Sequence, residues 1–438
     1  MRVSVTGCGY LGAVHAAAMA ALGHDVVGVD IDREKVEALV GGVAPFYEPG
    51  LPELLRMGIE SGRLRFSTDL TEVAGSTVHF VCVGTPQQES SNAADLTHLN
   101  AAFQALAGLV AEGDVVVGKS TVPVGTAAQL ADDLSRRAPG TTVVWNPEFL
   151  REGLAVQDSL HPDRLVYGVP DGPAGEAATE VLDELYAPML AVETPRMVMD
   201  YATAELVKVA ANSFLATKIS FINAMAELCE VAGGDVTQLA DAIGMDERIG
   251  RKFLNAGLGF GGGCLPKDIR AFMARAEELH AQPAVSFLKE IDSINMRRRD
   301  RMVDLTVEAL GGRPLAGARV AILGAAFKPE SDDVRDSPAL DVAEKLDARW
   351  AEVVVTDPRA LENARRKAPH LKYAHSAEEA VNGADVVLLL TEWTAYRDLD
   401  PQTFGETMRH RRIIDGRNAL DPKQWRAAGW AYRALGRP

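Results

Sequence analysis

Val3-Ser-Val-Thr6-Gly7-Cys-Gly9-Tyr10-Leu11-Gly12 gives a short apolar strand, three glycines spaced Gly-x-Gly-x-x-Gly, and then an alanine-rich helical run ending near Leu22-Gly23. In that strand-turn-helix setting each glycine has a task. Gly7 permits the tight turn, Gly9 lets a pyrophosphate approach the backbone, and Gly12 lets helix and sheet pack closely, with the helix dipole facing the phosphates. A second strand, Asp25-Val-Val-Gly-Val-Asp30, ends in an acid at the distance expected of a ribose-binding carboxylate. Asp30 should select NAD because it would repel a 2′-phosphate, while Arg33 and Lys35 leave some room for NADP.

Further strands are expected at Thr77-Val-His-Phe-Val-Cys-Val83, Asp114-Val-Val-Val-Gly118 and Thr142-Val-Val-Trp145, separated by helical spans such as Leu96 to Val110. This alternation specifies a parallel, doubly wound α/β sheet, which binds ligands at the carboxyl ends of its strands. The loops leaving those ends carry Gly84-Thr85-Pro86, Lys119-Ser-Thr121-Val-Pro123 and Asn146-Pro-Glu148-Phe149-Leu150-Arg-Glu152-Gly153. Glu148 and Glu152, four apart, would share one face of a helical turn, either as site carboxylates or as a solvated acidic face.

From about residue 315 the opening order recurs in Ala318-Arg-Val-Ala-Ile-Leu-Gly324, Ala351-Glu-Val-Val-Val-Thr-Asp357 and Gly383-Ala-Asp-Val-Val-Leu-Leu-Leu390. Only Gly324 survives from the fingerprint, so a second dinucleotide held in the same way is not expected. Another nucleotide-bearing molecule suits this half better, with Lys328, Arg335 and Arg417 supplying charge for its phosphates or else forming surface ion pairs. Two Rossmann-like doubly wound domains are thus expected at 1–199 and 313–438, joined through residues 200–312 by a long central helix.

That helix should run without Gly or Pro from Asp200 to Gly233, about 45 Å. Lys208 and Asn212 would project together from an otherwise small and apolar surface. A second helix, Pro283 to about Leu310, carries Arg297-Arg-Arg299, expected on a solvated or interface face. Long apolar helices between two nucleotide-type domains are natural contacts, and a homodimer is expected here. Between the helices lies Gly257-Leu-Gly-Phe-Gly-Gly-Gly-Cys264-Leu-Pro-Lys267-Asp268, with five glycines in seven residues ahead of a thiol, an ammonium and a carboxylate. Pro266 suits a helix's first turn, which puts Cys264 at the positive end of the helix beside Lys267, where a thiolate is favoured. The alternative is a glycine loop around an inert buried cysteine.

Composition narrows the classes. The 438 residues, 47 % hydrophobic and 24 % charged, are those of a globular chain with two or three domains. A net charge of −16 argues against a nucleic-acid binder. The four cysteines lack metal-ligand spacing, so no metal site or disulfide framework is expected, and a reducing cytoplasm fits. Met1-Arg-Val-Ser-Val reads as a strand rather than a leader, and no membrane span is expected.

A nicotinamide site, a glycine-cradled Cys with Lys and Asp, two glutamates and a Lys/Asn face fit oxidation to a carboxylate. Cys264 captures an aldehyde as a thiohemiacetal, hydride loss gives a thioester, and water releases the acid. The motifs Gly7-Cys-Gly-Tyr-Leu-Gly12, Lys119-Ser-Thr-Val-Pro-Val124, Asn146-Pro-Glu-Phe-Leu150 with Glu152-Gly153, Glu205-Leu-Val-Lys208 with Asn212, Phe260-Gly-Gly-Gly-Cys264 with Lys267-Asp268, Phe327-Lys328-Pro329 and Asp415-Gly-Arg417 span nearly the whole chain. With them the chain resembles the UDP-glucose/GDP-mannose dehydrogenase family, and within it the members that oxidise UDP-glucose.

The resemblance implies two NAD-dependent oxidations of a sugar C6 alcohol, giving a nucleotide uronate. It assigns Cys264 as nucleophile. Lys208 and Asp268 handle the hydroxyl proton and the oxyanion through a water positioned by Asn212 and Thr121, and Glu148 activates the hydrolytic water. Cofactor contacts fall on Gly7, Gly9, Tyr10, Leu11, Gly12, Asp30, Lys35, Thr85, Thr121, Lys267 and Arg335, with Glu152 between sugar and cofactor. Substrate contacts fall on Glu148, Phe149, Leu150, Glu152, Lys208, Asn212, Phe253, Asn255, Phe260, Gly261, Phe327, Lys328 and Arg417, joined by Arg248 from the other subunit of a dimer. Gly263 stands where the family often has Ser. Leu265 stands where many UDP-glucose enzymes carry an aromatic and GDP-mannose enzymes often carry Leu. GDP-mannose, a thymidine-linked glucose and an N-acetylated UDP-hexosamine are alternative substrates, and a non-catalytic nucleotide-sugar sensor is the alternative from another class.

Overall fold

Valine-rich runs such as Val78–Val81 and Val115–Gly118 are buried at every position, as strands covered by helices on both faces must be. In the computed structural model, which describes residues 1–437, such runs build an eight-stranded sheet. Its strands are β1 (Arg2–Thr6), β2 (Asp25–Val29), β3 (Leu64–Ser67), β4 (Val78–Val81), β5 (Val115–Gly118), β6 (Thr142–Trp145), β7 (Leu165–Gly168) and β8 (Arg196–Met199). They lie in the order β3-β2-β1-β4-β5-β6-β7-β8. The first six are parallel, and β7 meets β6 antiparallel through Trp145 and Gly168. Alternation along each strand feeds two cores: Val115, Val117 and Val144 enter one, and Val116, Val143 and Trp145 the other.

A second sheet contains β9 (Arg319–Leu323), β10 (Glu352–Thr356), β11 (Lys372–Tyr373), β12 (Val386–Leu389), β13 (Arg412–Asp415) and β14 (Ala431–Ala434), in the order β11-β10-β9-β12-β13-β14. Counted from its own first strand this is 3-2-1-4-5-6, the order in which the first sheet begins and that of doubly wound dinucleotide folds. The α/β fold class with two Rossmann-like sheets is therefore the one observed.

The chain forms two compact units, Met1–Ala211 with Arg270–His280, and Asn212–Ile269 with the chain from Ala281. The central helix, Tyr201–Ala232, runs 32 residues, and its residues from Asn212 belong to the second unit. The run expected from Pro283 to Leu310 is broken at Ser286 into Gln282–Val285 and Phe287–Ala309. Arg297-Arg-Arg299, expected on a solvated or interface face, divides. Arg297 is exposed, but Arg298 and Arg299 are buried, donating to Glu230 at 3.0 Å and Asp336 at 2.9 Å. Consecutive helical positions cannot share a face, and buried guanidinium groups require such carboxylates. Among the described residues no helix is long and apolar enough to cross a membrane.

Candidate active site

In the first unit the candidate residues sit where β1, β2, β4, β5 and β6 end. Gly7 has φ +89°. A Cβ at Gly12 would lie 1.8 Å from the Gly7 carbonyl oxygen, so the turn and the helix behind it close only on glycine. A Cβ at Gly9 would meet nothing within 4 Å, which leaves this backbone open to a ligand. These glycines fit a bound pyrophosphate. Asp30 follows β2 and accepts from Cys8 N at 2.7 Å and Lys35 Nζ at 3.1 Å. Lys35, one of the two cations that left room for NADP, is thus engaged by this carboxylate. Thr85 Oγ1 donates to the Thr121 carbonyl at 2.7 Å, joining the loops after β4 and β5. Tyr10 is half-buried and donates to the buried Glu48, and Leu11 packs partly buried against the core.

The helical turn that would put Glu148 and Glu152 on one face is not realised: no helix covers 146–151. Asn146 precedes a proline, which disfavours helical backbone there. Glu148 turns back on its own chain, with Oε1 accepting from Phe149 N at 2.8 Å and Leu150 N at 3.1 Å. Its Oε2 lies 3.0 Å from Lys119 Nζ, a side chain only 4 % exposed. Burial pushes the Glu148 carboxyl up, but Lys119, the Phe149 N–H and Lys208 together outweigh it and hold it below the usual carboxylate value. Farther along the loop, Glu48 accepts from Gly153 N at 2.6 Å and Ala155 N at 2.7 Å. One carboxylate therefore ties Tyr10 of the fingerprint to the segment carrying Glu152. Lys208 Nζ stands 5.4 Å from the Phe149 ring centroid. Glu205, one turn earlier, accepts from Gly125 N and Ala127 N, both at 2.7 Å, and so fixes the loop that bears Thr121.

In the second unit the glycine run is packed tightly rather than loosely. Gly259 has φ +95°, and a Cβ there would lie 2.3 Å from Asn295 Oδ1. Asn295, on the helix Phe287–Ala309, grips Phe260 by both backbone groups, at 2.8 Å to its N and 3.0 Å to its O. A Cβ at Gly261 would fall 2.2 Å from the Asp336 carbonyl, and one at Gly263 would fall 2.4 Å from the Arg335 Cζ. The space that a side chain at position 263 would take is thus filled by a guanidinium. Cys264 is exposed and immediately precedes the helix Leu265–Glu278. Asp268, in its first turn and 2 % exposed, accepts from Asn212 Nδ2 at 2.6 Å and pairs with Lys267 at 2.8 Å. The other three cysteines are buried. Burial raises Cys8 strongly and pushes Cys82 up to about 12, so neither is a thiolate near neutrality.

Arg417, rather than forming only a surface ion pair, donates to the carbonyls of Leu390 at 2.7 Å, Gly259 at 2.8 Å and Phe327 at 3.2 Å. It links the end of β12 to the glycine run and to Phe327, above whose ring Lys328 Nζ stands at 5.5 Å. Arg335 is held by Asp333 and is 63 % exposed. Arg248, 89 % exposed, rests on Asp246, Asn255 accepts from Arg251, and Phe253 has φ +67°. Arg248 and Asn255 thus make these contacts within their own segment. In place of the open fingerprint turn, Asp357 accepts from Ala325 N at 2.8 Å, Ala326 N at 3.0 Å and Trp393 Nε1 at 3.1 Å. Asp30 takes Cys8 N in the same way in the first unit, and here the carboxylate takes a second backbone N–H and the indole as well.

Sequence reasoning missed Glu48 and Asn295, and took Lys119, Asn146 and Glu205 only as members of motifs, without their partners. All act across long stretches of chain, and no local spacing announces them.

Residues 1–190, 202–297 and 321–422 match, in turn, the NAD binding, central and UDP binding domains of the UDP-glucose/GDP-mannose dehydrogenase family. The chain is 42 % identical to a UDP-glucose 6-dehydrogenase of Rhizobium meliloti (strain 1021) over the full length of both. It is 38 % identical to UDP-glucose 6-dehydrogenase YwqF of Bacillus subtilis (strain 168), covering all of this chain and 98 % of that one. Its fold superposes on a UDP-glucose dehydrogenase from the hyperthermophilic archaeon Pyrobaculum islandicum with a TM-score of 0.89 at 39 % identity, covering 100 % of this chain and 98 % of that one.

Proposed function

The chain belongs to the UDP-glucose/GDP-mannose dehydrogenase family, and from that premise we propose that it oxidises C6 of UDP-glucose twice to give UDP-glucuronate. NAD is the cofactor, and when bound it accepts the hydride of each oxidation. Gly7, Gly9 and Gly12 would hold its pyrophosphate and Asp30 its ribose, with Tyr10, Leu11, Lys35, Thr85, Thr121, Lys267 and Arg335 lining it.

In the first oxidation, Lys208 and Asp268 take the C6 hydroxyl proton through a water that Asn212 and Thr121 position. The Cys264 thiolate then adds to the aldehyde carbon, and Lys208 and Asn212 stabilise the oxyanion. Loss of the second hydride leaves a thioester on Cys264. Water, giving its proton to Glu148, attacks that carbonyl, the C–S bond breaks, and the uronate leaves the restored thiolate. Phe149, Leu150, Glu152, Phe253, Asn255, Phe260, Gly261, Phe327, Lys328 and Arg417 bind the nucleotide sugar, with Arg248 serving the neighbouring subunit.

The observation that carries this reading is the Cys264 cluster. An exposed thiol precedes a helix whose first turn buries Asp268, and that carboxylate is held by Asn212 and Lys267. A protein that only sensed nucleotide sugars would have no use for it. Replacing Cys264 by Ser tests the proposal: one slow half-reaction or a trapped adduct is expected, and undiminished acid production contradicts it. UDP-glucose is favoured over GDP-mannose, a thymidine-linked glucose or an N-acetylated UDP-hexosamine because the curated relatives at about 40 % identity are UDP-glucose 6-dehydrogenases. A preference of more than about tenfold in kcat/KM settles the substrate.

A homodimer on the central helix is favoured by Phe214, Phe221 and Leu228, seven residues apart and 66 %, 47 % and 61 % exposed. Sedimentation at the monomer mass contradicts it. The reduced thiols and the nucleotide-sugar substrate fit the cytoplasm.

A further inference from the structure

Lys119 is 4 % exposed, at the end of β5. A buried ammonium is costly unless paired, and its carboxylate partner is Glu148, 3.0 Å away. Its other contact is Asn146 Oδ1 at 2.9 Å, an atom that also accepts from the buried Tyr186 hydroxyl at 3.0 Å. Asn146 Nδ2 donates to the Val166 carbonyl at 2.9 Å, so the amide's orientation is fixed and its oxygen must face Lys119. The ammonium is thereby tied through Asn146 to the ends of β5, β6 and β7, and it presents its charge to Glu148 Oε2 while the backbone N–H groups of Phe149 and Leu150 hold Oε1.

We propose that Lys119 is a positioning residue for the hydrolytic half-reaction, its ammonium holding Glu148 fixed and charged so that it can take the proton of the attacking water. The proposal rests on the reading of Glu148 as that base. The groups facing Glu148 are Lys119 from β5, Cys82 from the end of β4, Tyr186 beyond the helix Pro173–Leu185, and Lys208 from the central helix. Burial keeps both Tyr186 and Cys82 neutral near pH 7. Lys119 and Lys208 therefore supply the opposing charge, and Lys208 does so while serving the first oxidation. Without Lys119, burial would be opposed only by Lys208 and the Phe149 N–H, and Glu148 would keep its proton to higher pH.

The test uses the full-length enzyme as wild type, Lys119→Met, Lys119→Arg and Glu148→Gln. Rapid quenching and intact mass follow the acyl-enzyme on Cys264 between about pH 5.5 and 9. In Lys119→Met the first NADH should form at nearly the wild-type rate. Acyl-enzyme breakdown should slow at least about tenfold on the acid side, where the base would keep its proton, and recover as pH rises. Lys119→Arg, which keeps the charge, should retain the wild-type pH profile and remains informative if the Met variant does not fold. An acid-side loss in the Arg variant overturns the proposal. So does Lys119→Met breakdown that is unslowed, or slowed equally at every pH, while Glu148→Gln accumulates acyl-enzyme. If Glu148→Gln accumulates none, the reading of Glu148 as base fails and takes this proposal with it.

Discussion

Gly259→Ala should loosen the thiol loop by a calculable amount. The backbone there has φ +95°, and holding an alanine in such a region costs about 1–3 kcal/mol. The new methyl would also lie 2.3 Å from Asn295 Oδ1. Asn295 must withdraw, giving up its two hydrogen bonds to Phe260, each contributing roughly 0.5–1.5 kcal/mol. The sum is about 2–6 kcal/mol, a large share of a typical domain's stability. Urea unfolding of wild type, Gly259→Ala, Asn295→Ala and the double variant separates the parts. Asn295→Ala alone loses the hydrogen bonds, and in the double variant the collision with Oδ1 is gone. The double should therefore cost about 1–3 kcal/mol less than the two singles together. Additivity within about 0.5 kcal/mol would refute the clash.

Two further outcomes are expected. Asp30→Ala removes a charged acceptor from the cofactor turn and should weaken NAD binding about 10- to 100-fold, read by titrating cofactor fluorescence; unchanged affinity contradicts the ribose role. Glu230 is pushed up by burial but pulled further down by Arg301 and Arg298, so its folded value lies below its unfolded one. Its stabilisation is then present above the ordinary carboxylate value, about 4.3, and is lost as pH falls through the lower folded value. The stability gap between wild type and Glu230→Gln should be widest near neutrality and close on acidification; a gap constant down to pH 3 contradicts this.

Much of the fold was legible because its signals are local. Gly7, Gly9 and Gly12 lie within one short stretch, and a parallel, doubly wound sheet follows from strand and helix alternation, although the strand order does not. The thiol cluster was legible for the same reason, since Cys264, Lys267 and Asp268 fall within five consecutive positions. Glu148 shows where locality ends. Four-residue spacing to Glu152 suggested a helical face, yet the loop's shape is set by Pro147 and by Glu48, whose carboxylate binds Gly153 and Ala155 more than a hundred residues later. The arginine run shows the converse, because a string of charge reads as surface unless Glu230 and Asp336, distant in sequence, are known to meet it. Arg417 was legible as a candidate cation, but its partners were not, because they are backbone carbonyls, which any residue supplies.

The double oxidation is tested most directly by counting NADH against sugar, with UDP-glucose limiting and NAD in excess. Two NADH per UDP-glucose consumed, with UDP-glucuronate as the product, is the expected result. One NADH and a released aldehyde would mean a simple alcohol dehydrogenase, with no covalent role for Cys264.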